Sequence, residues 1–393
     1  MIVSAIETVH VAASNPPFIF VQVHTDEGVV GLGQTADVRT TAAVHDLAAR
    51  YLLGRDPLQI ESLWTAMFEY SAYHGYGGSE LRAISAIDIA LWDILGQVAR
   101  MPIYQLLGGA SRDRVRIYNT CSTYRDRADG KMAQEEPARL VEELLANGIT
   151  CVKTQPWDRI GGGQRRQGLS PAQLREGVAF FEALDRSAEG QMEMMIDLHS
   201  SWGLSNVIAI SNALESAGLP IYWIEDPVWQ EQPEAWAEIR QRTSIRIAGS
   251  ERLLTRHQMR PLLEAGGTDV MIGDITWTGG ISELKKMATM ADAFGVPLAP
   301  HDHSGPVNLW ASAHVLLNVP NASLMETTRV FYETYYDEMV EGEPILRDGH
   351  MHLPQGPGLG IRLRPEVMQR DDTVVTRTTV EDIPAREPWR GMH

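Results

Sequence analysis

From about residue 113 onward, short apolar runs alternate with amphipathic stretches, and this alternation restricts the fold more than any other feature of the chain. The runs are RVRIYN, TCVKT, MEMMID, IYWIED, IRIAGS, DVMIGD, VPLAP and ASLME, with stretches such as PAQLREGVAFFEALDRS, EQPEAWAEIRQRT and ISELKKMATMADAFG between them. Strands alternating with helices are parallel βα units. Eight such units are the number that closes a barrel.

The first hundred or so residues read differently. IVSAIETVHVA, FIFVQVHT and GVVGLGQT are strand-like, with Asp26-Glu27-Gly28 as a hairpin turn, and helical patterns follow at roughly 39–52, 58–70 and 79–99. An α+β module over 1–112 therefore precedes a (β/α) barrel over 113–330. The segment 331–393, with its Gly/Pro-rich PQGPGLGIRLRPEV and irregular tail, is expected to return to the N-terminal module.

The chain has 393 residues, of which 44% are hydrophobic, and no low-complexity tract, so an ordered multidomain protein is expected. Its 34 basic and 51 acidic residues leave a charge of -17, the wrong sign for nucleic acid or an anionic membrane surface. The N-terminus does not read as a signal peptide, and no segment approaches a transmembrane span. The only cysteines, Cys121 and Cys151, form no disulfide framework and read as small buried hydrophobes, so a reducing cytoplasm is the expected location.

Polar residues stand at or just past the ends of these strands: Lys153, Asp197, Glu225, Glu251, Asp274, His301 and Glu326. From Asp197 onward the intervals are 28, 26, 23, 27 and 25, one βα unit each time. In a barrel all strand C-termini surround one mouth, so these groups converge there. Singly, each acid would read as a turn or helix-capping residue; the shared phase argues for one site.

Asp197, Glu225 and Glu251 fall on consecutive strands. Two like charges a few ångströms apart repel by about 4 kcal/mol at an effective dielectric near 20, so three pairs carry a penalty of order ten. Either some stay protonated or a cation binds them. Hard oxygen donors without cysteine favour Mg²⁺ over zinc. Asp274 and His301, on adjacent strands, make a different unit, in which the aspartate fixes one imidazole nitrogen and raises basicity at the other, as a general base requires. In MMIDLHSSW (194–202), Asp197 and His199 are two apart, which on a strand places both on one face.

These residues resemble the enolase superfamily, in its mandelate racemase branch. ISAIDIALWDILGQVARMPIYQLLGG (84–109), WIEDP (223–227), GSE (249–251), Asp274 with Thr278-Gly279-Gly280, PHDHSGP (300–306) and Glu326 follow in family order. The resemblance implies a modified TIM-type (β/α) barrel whose N-terminal α+β capping domain is completed by the C-terminal segment. It implies Asp197, Glu225 and Glu251 as Mg²⁺ ligands, Asp274–His301 as the base, and Glu326 at the substrate carboxylate or intermediate. The shared chemistry is removal of the proton α to a carboxylate, giving an enediolate. Homo-oligomers, from dimers to octamers, are the family habit.

Where the racemases carry Lys-x-Lys, this chain has Lys153-Thr154-Gln155; an amide cannot take a proton, so two-base racemisation loses its second base. Lys153 remains as a cation for the substrate carboxylate. Asp197-x-His199 is similar to the acid-sugar dehydratases of the galactonate type, where the histidine protonates the departing 3-hydroxyl. The expected reaction is dehydration of an aldonate or aldarate to a 2-keto-3-deoxy acid, with epimerisation or cycloisomerisation through the same enediolate as one alternative and a non-catalytic acid-sugar binding protein as another. Elimination with His301 performing both proton transfers stays open.

His303 makes His-x-His with His301, but the groups downstream are carboxylates, which argues against a zinc hydrolase; His303 reads as a loop residue lining or flanking the site. GGGQRRQG (161–168) has neither Rossmann spacing nor a Walker lysine, and Arg165 or Arg166 could reach a distal group of the substrate. His74 and Tyr76, in SAYHGYGGSE, are candidate contacts from the capping domain, together with the SNPPF loop (14–18). Trp202, Trp223, Trp229 and Trp236 are expected to pack, with Trp202 near enough to His199 to meet a ligand.

Overall fold

A computed structural model of the protein describes residues 1–12, 18–75, 77–160 and 168–383. Val3–Val11, Phe18–Thr25 and Val30–Thr35 form an antiparallel meander, with Gly28 at φ +82° in the Asp26-Glu27-Gly28 turn. Its residues serve two cores. Val3, Ile6, Val21 and Val23 pack with helical Leu63, Met67, Ile84 and Leu91, whereas Val9, Val11, Phe18 and Phe20 join the core of the barrel. This division explains why the first two strands are buried almost throughout instead of alternating with solvent.

The barrel strands are Arg114–Thr120, Cys151–Thr154, Glu193–Asp197, Ile221–Glu225, Arg246–Gly249, Val270–Met271 and Met325–Thr327. Each pairs in parallel with its neighbour, and Met325–Thr327 closes the circle on Arg114–Thr120. VPLAP, expected as a full seventh strand, contributes only isolated bridges from Leu298 to Met271 and Ala322. Pro297 and Pro300 flank this residue pair and have no N–H to give to a ladder. Inside, Tyr118, Cys151, Met195, Trp223, Ala248, Ile272, Ala299 and Leu324 pack against one another, so the barrel is filled with apolar side chains below its mouth.

Beyond the barrel, His350–His352 pairs antiparallel with the start of the first barrel strand. Thr373–Thr379 then lies antiparallel on Val3–Val11 and becomes the edge of the N-terminal sheet. Cys121 and Cys151 are both buried and free. Among the described residues no helix is long and apolar enough to cross a membrane.

The seam that matters for the site runs between helix Ser79–Ala99 of the cap and helix Gly280–Ala293 of the barrel. The Asp88 carboxyl accepts from the Ser282 amide at 3.0 Å and the Ser282 hydroxyl at 2.6 Å; Ser85 Oγ accepts from the Gly279 amide at 2.8 Å. A Cβ at Gly280, whose φ is +83°, would run into Asp88, so the close approach requires glycine there. Trp64 donates to the Gly279 carbonyl at 2.7 Å, and Gln34 clamps the loop after His301 through the Ser304 carbonyl and the Val307 amide.

Burial raises the Asp88 carboxyl from its ordinary 3.8 to about 7, the Ser282 bonds opposing the rise. The folded chain therefore holds this proton more tightly than the unfolded chain, and the stabilisation is complete below about pH 4 and lost as pH climbs towards 7. Asp88→Asn keeps one acceptor for the Ser282 amide and a donor for its hydroxyl. We expect the stability difference between variant and parent to move by roughly 2–4 kcal/mol towards the variant from pH 4.5 to pH 8, read by urea unfolding; a constant difference would refute the buried-proton account.

Candidate active site

Each strand end delivers the group expected of it. Lys153 is in the second barrel strand, Asp197 and Glu225 end the third and fourth, Glu251 follows the fifth, Asp274 and His301 follow the sixth and seventh positions, and Glu326 lies in the last. All are buried. The Lys153 ammonium is the hub, 2.6 Å from Glu225 Oε1, 2.9 Å from Glu326 Oε1 and 3.8 Å from Asp197 Oδ2. Burial alone would lower the lysine's pKa, but Glu225 and Glu326 more than offset that and hold it well above its ordinary value. Glu326 also accepts from the Thr120 hydroxyl and, at 3.0 Å, from the Asp302 amide.

One ammonium does not satisfy this many carboxylates. Burial pushes Glu225 up to about 8; Lys153 opposes the rise, and Asp197, Glu326 and Glu251 add to it. Glu251 Oε2 and Asp226 Oδ1 are buried and, among the described residues, have no hydrogen-bond partner. Such orphaned buried oxygens are costly without a cation or a proton. The donor set, Asp197, Glu225 and Glu251 with no sulfur, fits a hard divalent ion. Among the described residues no group of three or more acidic, His or Cys side chains is gathered into a ready-made cage; Glu225 lies 2.6 Å from Lys153 and Asp197 3.1 Å from His199.

Two histidines flank this cluster. His301 Nδ1 lies 2.7 Å from Asp274 Oδ2, and Asp274 is itself fixed by the Thr276 amide and hydroxyl and by Asn308 Nδ2. Burial would lower the imidazole's pKa, but Glu326, Asp274 and Glu251 raise it to about 10. His199 is held differently from what strand alternation predicts. The strand ends at Asp197, and His199 and Ser200 adopt φ of +48° and +52°, a left-handed turn that folds the imidazole back. His199 donates its amide to Asp197 Oδ1 at 2.8 Å, and its Nε2 lies 3.1 Å from Asp197 Oδ2. Its Nδ1 meets Asp158 Oδ2 at 2.5 Å, making a second Asp–His pair. Burial opposes protonation of His199, but Asp197 and Asp158 raise its pKa to about 11.

A cavity of about 550 Å³ opens on these groups, lined by Thr120, Lys153, Gln155, Asp197, His199, Glu251, His301 and Glu326, among others. His303 is at its wall, edge-on to Phe331, with a pKa lowered by burial to about 4. The capping domain contributes Ala36, Gly78 and Arg82. His74 is not brought in: it is exposed and its Nδ1 lies against the Tyr70 carbonyl. Trp202 is buried away from the cavity, packed in the core like Trp223 and Trp236. Tyr76, Arg165, Arg166 and residues 14–17 lie outside the described residues. Sequence reasoning missed Asp158, Trp277 and Arg82. Asp158 sits one turn past a strand end in QPWDRI, out of phase with the groups that end the strands themselves.

Fold and site together define a capped βα-barrel enzyme architecture, with basic and acidic groups ringing one mouth. Comparison with known proteins narrows this class. The family description "Mandelate racemase / muconate lactonizing enzyme, N-terminal domain" matches residues 2–108, and "Enolase C-terminal domain-like" matches 136–367. The chain is similar to a D-galactonate dehydratase of Ralstonia pickettii (33% identical, covering 95% of this chain and 94% of that one) and to a D-xylonate dehydratase of Haloferax volcanii (32%, 89% and 84%). Among solved structures it superposes on a mandelate racemase subgroup enolase from Agrobacterium tumefaciens with a TM-score of 0.87 at 35% identity, covering 98% of this chain and 100% of that chain. A member of the enolase superfamily from Salmonella Typhimurium gives a TM-score of 0.89 at 26% identity, covering 96% and 99%. The chain belongs to the mandelate racemase / muconate lactonizing enzyme family of the enolase superfamily.

Removing the hub cation should expose the charge imbalance directly. Lys153→Met leaves the buried carboxylates without their ammonium, and a loss of about 3–5 kcal/mol in unfolding free energy is expected, measured by urea titration without divalent ions. A change below about 1 kcal/mol would mean that the carboxylates are already neutral.

Proposed function

We propose that this chain is a hydro-lyase that dehydrates a sugar acid, taking the proton α to the carboxylate and expelling the 3-hydroxyl to give a 2-keto-3-deoxy acid. The observation that carries this reading is the pair of Asp–His units, Asp274–His301 and Asp158–His199, whose imidazoles line one cavity together with Lys153, Asp197, Glu251 and Glu326. Its relatives named as D-galactonate and D-xylonate dehydratases support it.

The residues divide the work as follows. Asp274 holds His301 Nδ1, so that in the neutral form of the imidazole, which the surrounding carboxylates disfavour, Nε2 is the atom that accepts the C2 proton. The C2–H electrons move towards the carboxylate, giving an enediolate. Lys153, held by Glu326 at 2.9 Å, binds and orients the carboxylate end. Mg²⁺ held by Asp197, Glu225 and Glu251 would supply the positive charge that stabilises the enediolate. The electrons then return to form C2=C3 as the C3–O bond breaks. His199, anchored through Nδ1 by Asp158, gives its Nε2 proton to the departing hydroxide, so that water leaves and the enol tautomerises to the ketone. Gln155, at the cavity wall, offers no second base.

Proton NMR in D₂O with Mg²⁺ and a panel of aldonates and aldarates reads both steps separately. The parent should exchange C2–H and build a 3-deoxy methylene, both abolished by chelator. His301→Asn should lower exchange at least about 100-fold. His199→Asn should slow methylene formation more than exchange. Exchange with an intact skeleton across the panel would move the assignment to epimerisation, and normal dehydration by both variants would overturn the acid and base roles of the two histidines.

A further inference from the structure

The cations that line the cavity are not equally engaged. Lys153 is surrounded by Glu225, Glu326 and Asp197, and Arg252 lies 3.7 Å from Glu251 and 3.8 Å from Asp226. Arg82 is the fourth residue of cap helix Ser79–Ala99, half-buried at the wall of the same cavity. Among the described residues its guanidinium makes no ion pair or hydrogen bond. Two acids act on it from a distance, Asp274 more than Asp37, but Asp274 is bonded to Thr276, His301 and Asn308, and Asp37 is taken by the Arg39 guanidinium at 2.6 Å. Arg82 rests instead on the Trp277 ring, 4.0 Å from its centroid, and Trp277 in turn lies 5.0 Å from the His301 ring.

Stacking uses the face of a guanidinium and leaves its N–H groups free in the plane, which is the edge that binds a carboxylate in bidentate fashion. A partly desolvated guanidinium with no anion in direct contact is unfavourable, so a carboxylate recovers more here than a hydroxyl does. The two contacts, from Arg82 to Trp277 and on to His301, put the guanidinium and the imidazole no farther apart than about the reach of a five- or six-carbon chain. A substrate whose C2 proton faces His301 can therefore lie along Trp277 and end at Arg82.

We propose that Arg82 and Trp277 form a distal subsite for a second carboxylate, so that the substrate class is the aldarates, the diacids, in contrast to the monoacids named for the relatives. This assignment rests on the sugar-acid reading of the cavity. It also gives the capping domain a defined part: the barrel performs the chemistry, and the cap reads the far end of the chain.

The test compares matched pairs, galactarate with galactonate, glucarate with gluconate and xylarate with xylonate, in the parent, Arg82→Met and Arg82→Lys. For the pair that turns over, the parent should favour the diacid in kcat/KM. Arg82→Met should lower the diacid-to-monoacid ratio by about 10- to 100-fold, and Arg82→Lys should recover part of it. A parent that prefers the monoacid, or a ratio unmoved by Arg82→Met, overturns the subsite while leaving dehydration standing. Calorimetric binding of the same acids needs no turnover: diacid affinity lost in Arg82→Met without any methylene formation would keep the subsite and overturn the dehydratase reading. Absence of diacid binding to the parent overturns the subsite.

Discussion

The mouth of this barrel crowds buried carboxyl groups around one ammonium, and much of the structure answers that crowding. Asp197, Glu225 and Glu326 share one ammonium, while Glu251 and Asp226 keep buried oxygens unpaired among the described residues. The apolar layer beneath, from Tyr118 to Leu324, denies these groups water and strengthens every interaction among them. Lys153 and the orphaned oxygens are therefore two halves of one feature: a site tuned to receive positive charge. The same field raises the basicity of His301, since Glu326 and Glu251 favour its protonated form. A cation among the carboxylates would offset the Glu251 share of that effect and leave Glu326 and Asp274 acting on the imidazole.

The seam between cap and barrel is the second constraint. Asp88, Ser85, Trp64 and Gln34 bind backbone of the loops that follow Asp274 and His301, so the cap is fastened to the segments that carry the proposed base. Gly279 and Gly280 make the approach possible by leaving room for the cap helix. Because Arg82 lies on that same helix about one and a half turns before Asp88, its position over Trp277 is fixed by the seam. Recognition and chemistry are held in register by a few hydrogen bonds and by the absence of two side chains.

Much of this was legible in the chain. The strand-terminal positions of Lys153, Asp197, Glu225, Glu251, Asp274, His301 and Glu326, spaced near 25 residues from Asp197 onward, placed them around one mouth, and the structure brings those seven together. The cap helices expected at 39–52, 58–70 and 79–99 fall at Thr40–Leu52, Ile60–His74 and Ser79–Ala99. Less legible were features that break regular period. VPLAP reads as a strand from composition, yet its prolines reduce it to bridges. Asp197 and His199 do meet, but through a left-handed turn after the strand. His74 looked well placed in its loop and points elsewhere.

What the sequence determined by itself is the topology and the identity of the groups at the strand ends, because burial period and strand polarity are local properties of the chain that a parallel barrel turns into one ring. What only the tertiary structure decided is which of those groups touch, and which distant residues join them. Asp158 meets His199 across 41 positions, and Arg82 meets Trp277 across the domain seam. Pairings of this kind depend on how two packed surfaces approach one another, and a side chain's charge or shape carries no trace of its partner until the backbone has closed around both.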